Sequence, residues 1–400
     1  MTTGAADRRS FTMFKLYIIF LYSAFSLLFT YLPLLFLKNG LTPFQIGMLM
    51  AGGPFVSILA NPFWGYWSDR TQNIRKILIV LVVCSLVVVQ PVFHLQSFSW
   101  LYVVLLMYFF FQSPIFSQSN SLILSTIENT PYKFGTFRLW GSLGWAFAAV
   151  LAGPLLTKIG IENLWWLYSG VLLTSLLFVF SISQPKQAAS VGTIPGGGFR
   201  NLIKNRTFLL LLLLGILISV PNSINSTFVS IYLTQMGGSA TWIGWAAFLS
   251  SVFEAPVFLL LDRYLKKDSR TMFACLALVS LLFSIRWMFM TVVDSPAQLI
   301  FIQLFHCLTF GGYYYIGTNL TAHLIPSQFR ASGQAAFALT WGGVSGIFAG
   351  FAGGWMYDTL GAAKMYGIGA GVSLIGMTGF ILIWQGLRRK AHNGDQEMTV

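Results

Sequence analysis

The sequence predicts an all-α membrane protein with twelve transmembrane helices in two pseudo-symmetric six-helix halves. Three observations support this fold class: only 9% of the residues are charged, apolar segments recur along the chain, and motifs of the first half return in the second. A soluble domain carries about 25% charged residues, so a water-soluble fold is excluded. About 20 helical residues cross the ~30 Å hydrocarbon layer of a bilayer.

Twelve apolar segments of that length follow one another. The predicted spans, numbered 1 to 12, cover residues 14–37, 46–67, 77–94, 99–124, 139–157, 163–183, 207–233, 241–261, 271–293, 298–322, 334–356 and 365–387. The first is too long for the core of a signal peptide and has no small-residue cleavage site, so it is expected to remain as span 1.

Basic residues are distributed unevenly between the two sets of loops. Because the number of spans is even, both termini share one side, and its loops contain Arg70, Arg75, Lys76, Lys133, Lys186, Arg200, Lys204, Arg206, Arg263, Lys266, Lys267, Arg270 and Arg330. The opposite loops contain only Lys38, Lys158 and Lys364. Positive loops mark the cytoplasmic side of a membrane. The protein is therefore expected in the cell (inner) membrane with both termini in the cytoplasm. The net charge of +13 then reflects topology and contact with the lipid bilayer, and no nucleic-acid partner is expected.

A polar stretch separates the spans into two groups of six. Residues 184–205 contain Pro195-Gly196-Gly197-Gly198 and show no apolar period, which predicts a flexible cytoplasmic linker. The predicted domains are therefore an N-terminal half at 1–183 and a C-terminal half at 206–400.

The two halves share short motifs. Asp69-Arg70 after span 2 recurs as Asp262-Arg263 after span 8, and glycines cluster in spans 5 and 11. Small residues at this density let helices approach closely. Parallel repeats of six spans with a site between them are typical of transporters that work by rocking.

Three ionisable side chains lie inside spans of the second half, where charged groups are costly. They are Glu254 in span 8, Arg286 in span 9 and His306 in span 10. One charge at mid-membrane costs roughly 2.5–3.5 kcal/mol on insertion scales, so such groups are tolerated mainly where they face one another or water. We therefore predict that these three residues form a proton-coupling site.

Each of these residues also has a structural interpretation. Glu254 can bond a helix end next to Pro256, and His306 can be a neutral histidine bonded to a backbone carbonyl. For Arg286, which cannot lose its proton and therefore needs a partner in a membrane, the structural interpretation is snorkelling to the membrane surface. As the only acid well inside a span, Glu254 is the first candidate for the proton carrier, and His306 is the second.

Uncharged polar residues on other spans are candidates for contact with a substrate. Buried polar groups need partners, which substrate hydroxyls can supply as readily as neighbouring helices. The predicted substrate-binding residues of this kind are Gln118, Asn120, Asn222, Asn225, Tyr314 and Asn319.

The segment from Asn61 to Arg70, which reads Asn-Pro-Phe-Trp-Gly-Tyr-Trp-Ser-Asp-Arg, resembles the loop signature of the major facilitator superfamily. The resemblance implies a conformational latch, in which an Asp at the end of span 2 faces a helix N-terminus and basic side chains and releases them during transport. The residues assigned to the latch are Asp69, Arg70, Arg75, Asp262 and Arg263. This copy departs from the signature at Gln72 and Asn73, which replace Gly-Arg.

The segment 134–145 resembles span 5 of the lactose-permease branch, where an Arg and a Trp seven residues apart bind the sugar. The resemblance implies that Arg138 bonds substrate hydroxyls and that Trp145 stacks on the sugar ring, although Arg138 can also cap the nearby loop. Arg286 and His306 repeat that branch's spacing of twenty residues. Nucleoside-proton symporters and phenylpropionate permeases are similar as well.

Two departures from the lactose permease are informative. Thr309 occupies the position of its coupling Glu, and Asn120 that of its sugar-binding carboxylate in span 4. A galactoside is therefore not favoured, and another group must carry the proton.

No nucleotide-binding loop, metal-ligand cluster or nucleophile triad is present in the sequence, so neither a cofactor nor a metal is expected, nor is an enzyme. The predicted function is import of a small polar organic solute, sugar or nucleoside-like, together with protons by alternating access. The protein is expected to be a monomer, and its expected partners are that small-molecule substrate and protons. Gly153-Pro154 resembles a fragment of the Gly-Pro-rich signature that efflux antiporters of this superfamily carry in span 5, so proton-antiport efflux of an amphipathic compound is an alternative. A membrane sensor or a membrane-embedded enzyme is the alternative from a different class.

Overall fold

The computed structural model describes residues 3–127, 130, 134–182, 205–326 and 329–397. Within them, twelve helical segments are long and apolar enough to cross a membrane. Spans 1 to 12 are Phe11–Lys38, Pro43–Thr71, Ile74–Phe93, Phe98–Ile127, Thr136–Ile159, Ile161–Ser181, Arg206–Gln235, Ala240–Tyr264, Ser269–Thr291, Pro296–Leu324, Ser332–Leu360 and Ala362–Arg389. The predicted fold class is confirmed.

The chain divides into two compact units. The first consists of Met1–Thr193 with Thr227–Val252, and the second of Ile194–Ser226 with Phe253–Val400. The predicted linker at 184–205 lies almost entirely outside the described residues, so the division into halves at 1–183 and 206–400 stays a prediction.

Span 1 is the buried helix of the first unit. Phe14, Leu21, Phe25, Leu28 and Leu32 are fully buried. Their spacing of three, four and seven residues places them on one stripe of the helix, which is the pattern of a packed helix face.

Small residues and hydroxyl groups hold span 1 against span 5. A Cβ atom at Gly144 would lie 2.5 Å from the carbonyl oxygen of Ile19, so only glycine allows this approach. Hydroxyls of span 1 donate to carbonyl oxygens of span 5, from Ser23 to Gly144 at 3.0 Å, from Ser26 to Trp145 at 2.7 Å and from Tyr31 to Ala149 at 2.6 Å. Interhelical bonds of this kind contribute about 0.6 kcal/mol each in a bilayer.

In the second unit, spans 9 and 12 run antiparallel along their whole length. Their contacts are Trp287 on Tyr366 with ring centroids 5.9 Å apart, Ser284 Oγ to the Ala370 carbonyl at 3.0 Å, and Phe273 on Phe380 at 6.2 Å. Glycines of span 12 also receive side chains of span 7, because Gly376 faces Ile218 and Gly379 faces Leu214.

Three spans of the second half are interrupted. Span 8 consists of the helices Ala240–Val252 and Glu254–Tyr264, with Phe253 between them. Span 10 has the helices Pro296–Gln303 and Gly312–Leu324 on either side of a π-helical turn at Cys307–Gly311. Span 11 contains two π-helical turns, Leu339–Val344 and Ala349–Gly353. Such turns are frequent at functional sites.

Candidate functional site

Arg286 is the centre of a polar network in the second unit. Its side chain is fully buried, and its guanidinium lies over the indole of Trp287, 4.6 Å from the ring centroid. Nη1 lies 3.0 Å from Nδ1 of His306 and 3.2 Å from Oγ1 of Thr309. Nη2 donates to Oε1 of Gln303 at 2.7 Å. The cation is therefore bonded to uncharged groups of span 10 and to an aromatic face.

The bond to Arg286 fixes the protonation of His306. A guanidinium only donates hydrogen bonds, so Nδ1 must accept with its lone pair, and the neutral ring then carries its hydrogen on Nε2. That Nε2 lies 3.6 Å from Oε1 of Glu254. The imidazole is thus placed between the cation and the acid, and a second proton on Nδ1 would require the Arg286 bond to break.

Glu254 lies at the interruption of span 8. It is the first residue of the helix Glu254–Tyr264, and its side chain is 19% exposed. At 3.6 Å the contact with His306 is too long for a good hydrogen bond, but a small movement or one bridging water would join the two groups. The carboxyl is partly exposed at the N-terminus of a helix.

The network continues on the other side of Arg286. Oε1 of Gln303 also accepts from Nδ2 of Asn225 on span 7, at 3.3 Å. Oδ1 of Asn225 accepts from the hydroxyl of Tyr366 on span 12, at 3.1 Å. Spans 7, 8, 9, 10 and 12 therefore contribute to one chain of polar contacts from Tyr366 to Glu254.

The irregular backbone of span 10 places its side chains around the guanidinium. His306 immediately precedes the π-helical turn, and Thr309 lies inside it. The Thr309 hydroxyl donates to the Phe305 carbonyl at 2.7 Å while it accepts from Arg286. The ring of His306 stacks on that of Phe310, with centroids 4.9 Å apart. Three predicted proton-coupling residues are thus brought together, and their role stays a prediction.

Arg138 and Trp145 lie in the first unit, on the face of span 5 that packs on span 1. Nη1 of Arg138 donates to the Tyr22 hydroxyl at 2.9 Å. The indole of Trp145 stacks on Phe29 at an interplanar angle of 14°. Gly141 lies between them, and a Cβ there would lie only 3.1 Å from the Tyr22 ring. An exposed cation and a half-buried aromatic ring are thus available on one helix.

The other predicted substrate-binding residues are distributed over both units. Gln118 is buried and Asn120 half-buried on span 4. On span 7, Asn222 is buried and its Oδ1 has no hydrogen-bond partner among the described residues. Tyr314 stacks on Phe310 with centroids 5.6 Å apart, and Asn319 donates to the Tyr315 carbonyl at 2.9 Å.

The predicted latch residues at the end of span 2 and the start of span 3 have contacts within the first unit or none that forms an ion pair. Arg75 donates to the carbonyls of Val179 and Phe180 at the C-terminus of span 6, where a cation is favoured by the helix dipole. Arg70 bonds the Tyr66 hydroxyl at 3.3 Å. Asp69 forms no ion pair within the described part of the chain.

Gln72, which departs from the superfamily signature, adopts a left-handed conformation with φ 51°. This conformation favours glycine, the residue that the signature has there.

The corresponding residues at the end of span 8 differ. Asp262 accepts from Lys267 at 3.0 Å and from the Tyr315 hydroxyl of span 10 at 2.7 Å, and Arg263 lies over the ring of Tyr264. The latch is untested by these contacts and stays a prediction.

Sequence reasoning missed several members of the site. Gln303 and Tyr366 were not singled out, although Gln303 lies three residues before His306 and so shares its helix face. Within the described residues, no group of three or more His, Cys, Asp or Glu side chains could hold a metal ion.

The twelve spans make this a multi-pass membrane protein, and its sequence makes it a membrane transporter of the major facilitator type. The chain matches the family model described as "MFS_1 like family" over residues 11–368 and belongs to that family.

Three known proteins show the similarity in more detail. The maltose permease of Geobacillus stearothermophilus is 26% identical over 384 residues, which cover 95% of each chain. The probable 3-phenylpropionic acid transporter of Escherichia coli K12 is 25% identical, over 80% of this chain and 84% of its own. The crystal structure of the nucleoside transporter NupG has a TM-score of 0.73 at 16% identity and covers 93% of this chain and 98% of its own.

Proposed function

We propose that this transporter imports a small polar organic solute, sugar or nucleoside-like, together with protons by alternating access. The observation that carries the proposal is the chain of contacts from Glu254 through His306 to Arg286. Arg286 is buried, and Glu254 is connected to it through His306. Glu254 can act as a countercharge to Arg286 only while its carboxyl is ionised. Protonation of the acid therefore changes the charge balance of the whole network, which is what coupling requires.

Glu254 is the better candidate for the proton carrier. While Arg286 donates to Nδ1, His306 cannot take up a second proton, whereas the Glu254 carboxyl is partly exposed and can exchange a proton with water. The imidazole then acts as a polar bridge that transmits the charge of Glu254 to the guanidinium. A substrate that binds one state of Glu254 better than the other shifts the conformational equilibrium by that difference in affinity.

The substrate class rests on the first unit and on relatives. Arg138 offers a planar set of donors to hydroxyl groups, and Trp145 offers a face to a sugar ring or a base. The similarity to a maltose permease over 95% of each chain supports a sugar.

The direction and orientation follow from charge and from resemblance. Positive loops on the side of both termini support cytoplasmic termini, and the likeness to the lactose-permease branch supports uptake. A monomer is the proposed state of the transporter. The lipid bilayer and the solute are then the expected partners.

Uptake into proteoliposomes tests the proposal. With an acidic exterior, vesicles that contain the protein should accumulate radiolabelled maltose or uridine above the external concentration, and a protonophore should reduce the accumulation to equilibrium. 3-Phenylpropionate is assayed in parallel as a competing substrate. Accumulation that is undiminished by the protonophore would contradict proton coupling.

A further inference from the structure

A groove lies where the start of span 9 meets the end of span 12, on the side predicted to be cytoplasmic. It has a volume of about 550 Å³. The antiparallel register of the two spans, seen in the Phe273–Phe380 contact, brings the first turn of span 9 to the level of Trp384. The groove belongs entirely to the second unit and is separate from the network around Arg286.

The end of the groove that faces the aqueous side is cationic. Lys266 and Arg270 line it, both side chains are exposed, and neither forms an ion pair with an acid among the described residues. Lys267, by contrast, already pairs with Asp262. Two basic groups are therefore available for an anion.

Asp268 also lines this end of the groove, but its carboxylate is engaged elsewhere. It caps span 9, where Oδ1 accepts from the backbone N–H of Thr271 at 2.8 Å. That bond lowers the pKa of the Asp268 carboxyl, so the group stays ionised at neutral pH. The two cations, Lys266 and Arg270, therefore exceed the one carboxylate, Asp268, by one positive charge. Arg388, whose guanidinium lies over the ring of Trp384 at 6.0 Å, adds a further positive charge nearby.

The opposite end of the groove is apolar. Ala274, Cys275 and Leu278 follow Arg270 at the spacing of one helix face, and Trp384 lines the groove at the level of the first turn, where this face begins. Leu278 is 58% exposed and lies eight residues beyond Arg270, about 12 Å deeper along the helix. The groove therefore changes from cationic to apolar in the direction of the membrane interior and is open along its side.

We propose that this groove binds one anionic phospholipid, with the headgroup phosphate on Lys266 and Arg270 and an acyl chain along Leu278 and Trp384. Charge and polarity both favour this occupant over a soluble anion, because only a lipid uses the apolar half. Basic pockets between transmembrane helices on the cytoplasmic side are the usual place for anionic headgroups. An indole at the level of the headgroups further matches the interfacial preference of Trp.

Lipid titration of the purified, delipidated full chain tests the site. Phosphatidylglycerol added to the detergent-solubilised protein should raise its Tm more than phosphatidylcholine does, and native mass spectrometry should show a first phosphatidylglycerol adduct. In the double variant Lys266→Gln/Arg270→Gln, the phosphatidylglycerol-specific rise in Tm should be at most half that of the wild type. The signal of the phosphatidylglycerol adduct should fall at least five-fold. Trp384→Ser, which keeps every charge, should weaken the same adduct.

The control is the double variant Lys76→Gln/Arg206→Gln, which removes the same charge from exposed positions on the same predicted side. It should retain the response of the wild type. Equal losses in both double variants would mean that net charge alone attracts the lipid, and the proposed lipid site in this groove would be wrong. Inorganic phosphate that produces the same rise in Tm, with no effect of Trp384→Ser, would also overturn the proposal in favour of a simple anion.

Discussion

Arg286 is bonded to uncharged partners, and this has a consequence for the acid nearby. Gln303, Thr309 and His306 accept its hydrogen bonds, and Trp287 covers its face. A direct ion pair with a carboxylate would hold that carboxylate ionised. The imidazole of His306 lies between Arg286 and Glu254, and the proposed role of Glu254 as proton carrier depends on this arrangement.

Gln303→Ala tests whether the neutral partners hold the cation. The substitution removes the shortest bond to a buried guanidinium, and bonds to charged groups contribute about 1.5–3 kcal/mol. We expect the free energy of unfolding in detergent, measured by thermal or denaturant titration, to fall by about that amount.

The matched control is Gln90→Ala, a half-buried glutamine whose partners, Ser169 and the Leu86 carbonyl, are uncharged. Its loss should be about 1 kcal/mol or less. A loss for Gln303→Ala no greater than for the control would show that Arg286 does not depend on this bond.

The charged members of the site could be predicted from the sequence, and the neutral members could not. Glu254, Arg286 and His306 stand out because an ionisable group in a span is costly. Gln303 and Tyr366 are uncharged and carry no such cost. They cannot be told apart in the sequence from the other amide and phenol side chains of the spans. The tautomer of His306 depends on a contact between spans 9 and 10, which spacing along one chain does not encode.

At the level of whole helices, glycines decide how closely the spans pack. Gly144 lets the backbone of span 5 touch Ile19 of span 1, and the hydroxyls of Ser23 and Ser26 bond carbonyls at the same contact. The glycine clusters in the sequence predicted close helices. The π-helical turns of spans 10 and 11 were not predictable, since they insert a residue into a helix without any change in its apolar composition.

Gly144→Ala should destabilise the first unit. The added Cβ would lie 2.5 Å from a carbonyl oxygen, so spans 1 and 5 must separate. Overpacking of this kind costs about 1–3 kcal/mol, measurable as a lower unfolding temperature in detergent.

Gly170→Ala on span 6 is the control, because a Cβ there meets no atom within 4 Å. Alanine has the higher helix propensity, so this variant should be as stable as the wild type or more stable by up to about 1 kcal/mol. If Gly144→Ala behaves like Gly170→Ala, the close contact of spans 1 and 5 is wrong.

Across the whole molecule, the number of spans and the membrane class followed directly from composition and the length of the apolar segments. The motif at Asn61 to Arg70 supplied the superfamily, and the match over residues 11–368 confirms it. The substrate did not follow, because the predicted substrate-binding residues Arg138 and Trp145 fit sugars and nucleosides alike. Glu254 and His306 both lie at interruptions of their spans, which the sequence did not reveal.

Transport by Glu254→Gln tests the central claim, which is that this acid couples protons to the solute. The amide keeps the shape of the side chain but cannot titrate. Proteoliposomes with the variant should therefore exchange labelled for unlabelled substrate at a rate similar to the wild type. The accumulation ratio under an imposed pH gradient should fall to about one. The affinity for substrate should also lose its dependence on pH. Glu162→Gln, which alters an exposed acid paired with Lys38, should leave accumulation unchanged. If Glu254→Gln still concentrates substrate with the pH dependence of the wild type, Glu254 is structural and the account of coupling is wrong.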